Sequence, residues 1–149
     1  MSLGSNSHQT QLGLVVYASE AKTVKQLGEI NSVDELSTVE VPYLGGIEAN
    51  LDLGLKLAAK MLYSSQQRNP SRNARKVIVV IASAFNAGME HDPMQIASQF
   101  REDGGTIITI DYVQALKTPQ LASIASPGFA FSSIDEVSFM ESVLNSFCR

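Results

Sequence analysis

The chain has 149 residues, 44% of them apolar and 17% charged, which is enough material for one globular domain with one core. Eleven Lys and Arg against 15 Asp and Glu leave a net charge of −4 and a pI near 5.1, which excludes the basic field of a nucleic-acid binder. No apolar run approaches the roughly 18 residues that a membrane-spanning helix needs, so membrane insertion is not expected.

The polar opening "MSLGSNSHQT" (1–10) has no apolar h-region and reads as an exposed leader rather than a signal peptide. Residues 11–149 are expected to form a single domain. Residues 12–18 and 22–27 read as two strands joined by the tight antiparallel turn "SEA". Ser32-Val33-Asp34-Glu35 is a capping box that should start a short helix running to about Val39. "PYLGGIEAN" (42–50) is a loop in which Gly45 and Gly46 permit positive φ. A helix over about 50–65 follows. Leu51, Leu55, Ala58, Ala59 and Leu62 share one face of it, and Leu53, Leu57 and Met61 broaden that face.

Arg68, Arg72, Arg75 and Lys76 are interrupted by Asn69, Pro70 and Ser71 and read as a solvated loop, with a phosphate patch as the other reading. "VIVVIA" (77–82) is apolar at every position, as expected of a strand buried on both faces of a parallel sheet. Asp92-Pro93 should cap and open a helix with Ile96, Ala97 and Phe100 inward, ended by Gly104-Gly105. "TIITI" (106–110) is another buried strand. Thr118-Pro119 starts a helix that ends near Ser126-Pro127, and "FAFSS" (129–133) is the last strand. A final helix from about Asp135 should turn Val137, Met140, Val143, Leu144 and Phe147 inward. Strands alternating with helices imply a doubly wound, mainly parallel α/β sheet of Rossmann-like type. Ligands in such sheets bind beyond the carboxyl ends of the strands.

Motifs for catalysis are absent. Neither dinucleotide nor phosphate-loop fingerprints occur, and there is no nucleophile elbow. His91 beside Asp92 has no nucleophile to activate, and His8 lies in the leader. One Cys and two separated His do not compose a zinc site. Two loops at strand ends carry groups able to recognise a ligand: Glu48 and Asn50 after the glycine pair, and Ser83 and Asn86 after the third strand. Such hydroxyls, amides and carboxylates can bind a hard cation such as Mg²⁺. Cys148 reads either as a helix-face cysteine beside Leu144 and Phe147 or as half of a disulfide whose partner lies elsewhere.

Taken in order, "LGLVVYASEAKTVKQL", "VPYLGGIEANLDLGLKLAAKML", "RKVIVVIASAFN", "DPMQIASQFREDGGTIITIDYV" and "LASIASPGFAFSSIDE" resemble the successive elements of a von Willebrand factor type A domain, beginning at its second strand. The resemblance implies a Rossmann-like sheet lacking its usual first strand, with an antiparallel edge strand. It also implies a partner-binding rather than catalytic role. Members often hold Mg²⁺ or Mn²⁺ in a metal-ion-dependent adhesion site, using an Asp-x-Ser-x-Ser loop, a Thr after the Gly-Gly loop and an Asp at a strand end. Here the first loop is absent, the Thr position falls near Glu48 or Ala49, and the strand-end Asp falls on Ser83. Glu48 can supply a carboxylate and Asn50 or Ser83 a neutral oxygen, so no metal, or only weak Mg²⁺ binding, is expected. The missing strand implies either closure of the gap or a homodimer through the strand edges it leaves open. The resemblance also implies that Cys148 pairs with a residue outside this chain.

The "ANLDLGL" run resembles type A modules joined to C-type-lectin domains in secreted animal proteins. The expected function is therefore adhesion or recognition of a protein or carbohydrate ligand, as part of a larger extracellular protein and without a competent metal site. The alternatives are an intracellular type A scaffold for complex assembly and a phosphate- or nucleotide-binding α/β enzyme.

Overall fold

The computed structural model describes residues 2–4, 8–45, 48–85, 90, 92–112, 119–134 and 139–147. The chain expected to fold as one domain is built from two compact units, Met1–Ala74 and Arg75–Arg149.

In the first unit, β1 (Leu14–Tyr17) and β2 (Ala21–Lys25) pair antiparallel as a two-stranded sheet of their own, instead of forming one edge of a single larger sheet. The Ala18 amide closes their turn on the Glu20 carbonyl at 2.8 Å. The register shifts between Leu14 and Val15, and both strands are shorter than the apolar pattern suggests. Helix α1 (Val33–Ser37) starts on the expected capping box. The Glu35 amide donates to Ser32 Oγ at 3.1 Å, and Glu35 Oε2 accepts from the Asn31 amide at 2.9 Å, one residue further back than the usual box. The helix buries none of its residues.

Helix α2 (Leu51–Arg68) packs on both strands, with Leu51, Leu55, Ala59 and Met61 in the core. Ala58 and Leu62, placed on the same face by spacing, are only half-buried. Gly54 faces Tyr17, and a Cβ there would lie 2.9 Å from Tyr17 Cδ1, so α2 sits closer to β1 than any larger residue allows. Residues 2–4 and 8–10 are not simply an exposed leader. Leu3 is buried, Leu3 bridges Thr10, the Thr10 amide donates to the Ser2 carbonyl at 2.9 Å, and the Arg72 guanidinium donates to the Gln9 carbonyl. An isolated apolar residue in a polar stretch gives a weak hydrophobic signal, which is why Leu3 looks like part of a tail.

In the second unit, β3 (Val77–Ala82), β4 (Thr106–Asp111) and β5 (Ala130–Ser132) form a parallel sheet in that order. Helix α3 (Pro93–Glu102) is capped by Asp92, whose Oδ1 accepts from the Met94 amide at 2.9 Å, with Pro93 in the first turn. It packs on β4 through Ala97 and Phe100, while Ile96 is half-buried. Helix α4 (Pro119–Ile124) covers β4 and β5, and α5 (Phe139–Phe147) packs on β5. Arg101 ties α3 to the end of α4, donating from Nη1 to the Ala125 carbonyl at 2.6 Å.

Two burial expectations change. Strand β3 is not buried on both faces: Ile78, Val80 and Ala82 are, but Val79 is exposed and Ile81 is 63% exposed. It is the end strand of its sheet, and the helices of this unit pack over β4 and β5. In α5, Leu144 is 62% exposed and Phe147 is exposed, whereas Ser146 is buried. The small Ser146 faces inward, and the helical period then turns the two large residues away. Val137 and the Met140 side chain lie outside the described residues. The basic cluster does local structural work: Arg68 Nε donates to the Ser64 carbonyl and Arg75 Nη2 to Thr106 Oγ1, each at 3.3 Å.

Two outcomes follow from the close contacts. A Cβ on Gly105 would lie 2.3 Å from Phe100 Cε1, so Gly105→Ala must displace a buried ring. It is expected to destabilise the chain by about 1–3 kcal/mol, read by thermal or urea unfolding. An unchanged midpoint would contradict the packing. Burial raises the Tyr17 hydroxyl from 10.0 to about 12. A raised folded-state value means the stabilisation is complete below pH 10 and is lost as pH climbs from there through about 12. Tyr17→Phe should therefore remove an alkaline stability loss of up to about 2 kcal/mol while changing little at pH 7. Parallel alkaline curves for the two proteins would refute this.

Candidate functional site

The first candidate site lies where α2 begins. The Asn50 amide donates to the Ala18 carbonyl at 3.0 Å, so the entry to α2 is tied to the β1–β2 turn. Its side chain extends the same tie, with Nδ2 donating to the Ser19 carbonyl at 3.5 Å and to Glu48 Oε2 at 3.2 Å. Asn50 is buried and occupies the position before the helix, yet its side chain caps no amide of α2. It spans two loops instead. Glu48 is exposed, and Ala49 between them is half-buried. Gly45, with φ +72°, takes the left-handed turn expected of the loop, and Gly46 lies outside the described residues.

Asp52, in the first turn of α2, is buried at the favourable end of the helix dipole, and its Oδ2 accepts from Lys56 Nζ at 3.4 Å. Sequence spacing did not single it out, because an Asp in a first helical turn looks like an ordinary exposed acid.

The second candidate site is the carboxyl edge of the parallel sheet. Ala82, Asp111 and Ser132 stand level across the three strands. The ladder runs one step beyond them: the Tyr112 amide donates to the Ala82 carbonyl at 2.8 Å and the Ser133 amide to the Asp111 carbonyl at 2.9 Å. Ser83, just past β3, is exposed, as are Ala84 and Tyr112. Asp111 is buried on the same face as Ile107 and Thr109. It is the ionisable residue at this edge that sequence reading missed. Ending the strand at Ile110 made Asp111 look like loop; the two-residue alternation from Ile107 was the available signal. Asn86, His91 and Cys148 lie outside the described residues.

A hard cation needs about six oxygens converging on one point. The Glu48 carboxylate accepts from the Asn50 amide group, and Ser83 offers a single neutral hydroxyl. Among the described residues, no group of three or more His, Cys, Asp or Glu comes together around a point. With Asp111 as the one carboxylate at the second site, the described residues of neither site make up such a set. No helix among these residues is long and apolar enough to cross a membrane.

These observations can be set beside known proteins. A family model for the von Willebrand factor type A domain matches residues 1–145, including the segment that looked like a leader. C-type lectin domain-containing protein 160 of Caenorhabditis elegans is 33% identical over 160 residues, covering 100% of this chain and 24% of that protein. The chain thus spans about a quarter of the length of the curated relative it matches. Among solved structures, proximal thread matrix protein 1 from the mussel byssus superposes with a TM-score of 0.73 at 24% identity, covering 99% of this chain and 37% of that one. A second structure of the same mussel protein, with a zinc-occupied MIDAS motif, gives 0.72 at 23% identity, covering 97% and 36%. An aerotolerance-related membrane protein from Bacteroides fragilis gives 0.60 at 14% identity, covering 91% and 79%. At these identities the structural likeness speaks for the fold alone. The family match, over nearly the whole length, speaks for more: the chain belongs to the von Willebrand factor type A domain family.

Proposed function

We propose that this chain is a non-catalytic recognition module of a larger extracellular protein and that it binds a protein or carbohydrate ligand without a resident metal. The observation that carries this reading is the carboxyl edge of the sheet in a chain of this family. Where the family resemblance sets a strand-end Asp, β3 ends in Ala82, exposed Ser83 and Ala84. A neutral hydroxyl between alanines can donate and accept hydrogen bonds, but it brings no charge to balance a divalent cation. Among the described residues the edge holds a single carboxylate, the buried Asp111, which favours recognition by direct contact over a bound cation.

Extracellular placement is supported by the relative that carries a C-type lectin domain. The lectin-domain relative also makes carbohydrate a reasonable class of ligand for the whole protein. Pairing of two copies belongs to the same reading. Among the described residues β3 ends its sheet, so its outer backbone edge is open to another strand, and Val79 and Ile81 expose apolar surface on one face beside it.

Three measurements test the reading. Biolayer interferometry of the 149-residue chain on immobilised matrix proteins and on a glycan array should give saturable binding to at least one ligand, unchanged by EDTA. Loss of that binding in EDTA would overturn the metal-free mode, and an empty panel would overturn recognition. Calorimetry with Mg²⁺ and Mn²⁺ should give no saturable heat; a site of about micromolar affinity would restore metal-dependent adhesion. Sedimentation should show a dimer that Ile81→Lys converts to monomer, whereas a monomeric starting protein removes the pairing.

A further inference from the structure

We propose that residues 33–43 form a docking strip for a Lys- or Arg-rich segment of a partner protein whose cations are separated by apolar residues. This deepens the recognition reading and rests on it. The strip begins with an oddity of α1. A five-residue helix that buries nothing is held by its capping box and not by packing. Its apolar residues, Val33 and Leu36, share a face by their three-residue spacing, and Val33 is 68% exposed.

Beyond the helix the pattern continues. Val41 is 64% exposed and Tyr43 is 90% exposed. Pro42 restricts Val41 to extended backbone and fixes its own φ, so the two side chains are presented by a stiffened stretch. Single exposed apolar residues are ordinary, but a concentration of them is not. Four of the ten large apolar residues exposed among the described residues fall within these eleven positions. Exposed Tyr is also a side chain well suited to anchor an interface, with a large apolar ring and a polar tip.

Charge selects the partner. Between Lys25 and Lys56 the sequence holds six carboxylates and no Lys or Arg. The rest of the chain carries nine carboxylates against eleven Lys and Arg, so the net negative charge resides wholly in this stretch. Within the strip, Asp34 and Glu40 are exposed. An acidic partner, a nucleic acid or an anionic membrane would be repelled. A cationic segment would be steered in, with Tyr43 and Val41 taking its apolar side chains. Eleven residues reach at most about 25 Å when part is helical, which matches an extended partner segment of about eight residues.

The test titrates the ¹⁵N-labelled 149-residue chain with a capped peptide of about eight residues alternating Lys and Leu, sized by the reach of the strip. The control peptide replaces each Lys by Glu. The Lys peptide should shift amides within 31–45, and the Glu peptide should not. Tyr43→Ser should weaken binding about tenfold. The pair Asp34→Asn and Glu40→Gln should weaken it about fivefold and flatten its salt dependence. All these positions are exposed, so unchanged melting midpoints separate lost binding from lost folding. No saturable shift at about millimolar peptide, shifts centred elsewhere, or affinity indifferent to both sets of substitutions would overturn the strip. Matrix-protein binding that survives the substitutions overturns the strip but not the recognition reading. Peptide binding at the strip beside an empty ligand panel does the reverse.

Discussion

Strand β4 is the member on which the parallel unit depends. It is hydrogen-bonded along both edges, to β3 and β5, and Ile107, Ile108 and Thr109 are almost wholly removed from water. Its start is fixed by a reciprocal pair: the Ile107 amide donates to Ser126 Oγ at 3.0 Å, and the Ser126 amide donates to the Ile107 carbonyl at 2.8 Å. The Ser-Pro step after α4 is therefore a clasp on the strand and not merely a helix stop. Gly105 lets Phe100 lie directly against the strand's entry, and Arg101 secures α3 to α4 beside it. With β4 anchored at its beginning, the level of Ala82, Asp111 and Ser132 at its other end follows from the register.

The hairpin unit is organised differently. Its strands are short and its contacts depend on α2, which approaches β1 through the absence of a side chain at Gly54. Asn50 then joins the helix entry to the β1–β2 turn by backbone and side-chain hydrogen bonds. A buried amide used in this way is costly to replace, because a substitute must fill its place without the two hydrogen bonds that its side chain donates. Asn50 thus serves the scaffold first, and Glu48 is the accessible group of the pair.

Much of this was legible in the sequence. The colinear order of strands and helices, the capping box at Ser32, the Asp92-Pro93 start of α3 and the strand Val77–Ala82 all appear as read, because each is a local rule with a local cause. Less legible were properties set by neighbours. An unbroken apolar strand looks buried on both faces, but Val79 and Ile81 are exposed at the end of their sheet. The apolar periodicity of α5 pointed Leu144 and Phe147 inward, whereas the face that carries Ser146 is the buried one and those two side chains are exposed. Asp111 looked like loop because one residue of strand length separates loop from core. Leu3 looked like tail because one buried residue makes no pattern. For the site residues, Glu48 and Asn50 do come together, but the amide's structural duty could not be read from their spacing.

Helix α1 and the stretch that follows it bury almost no side chain, and that has an evolutionary consequence. Substitutions in the core of α2 or β4 must satisfy packing before they can alter anything else. Positions such as Val33, Val41 and Tyr43 carry no such debt, since the core does not touch them. Selection can rewrite their chemistry step by step while the folded population stays the same. Diversification of surface preference and maintenance of the scaffold are thereby assigned to different residues, so that related modules can drift apart in what they grip without first becoming unstable.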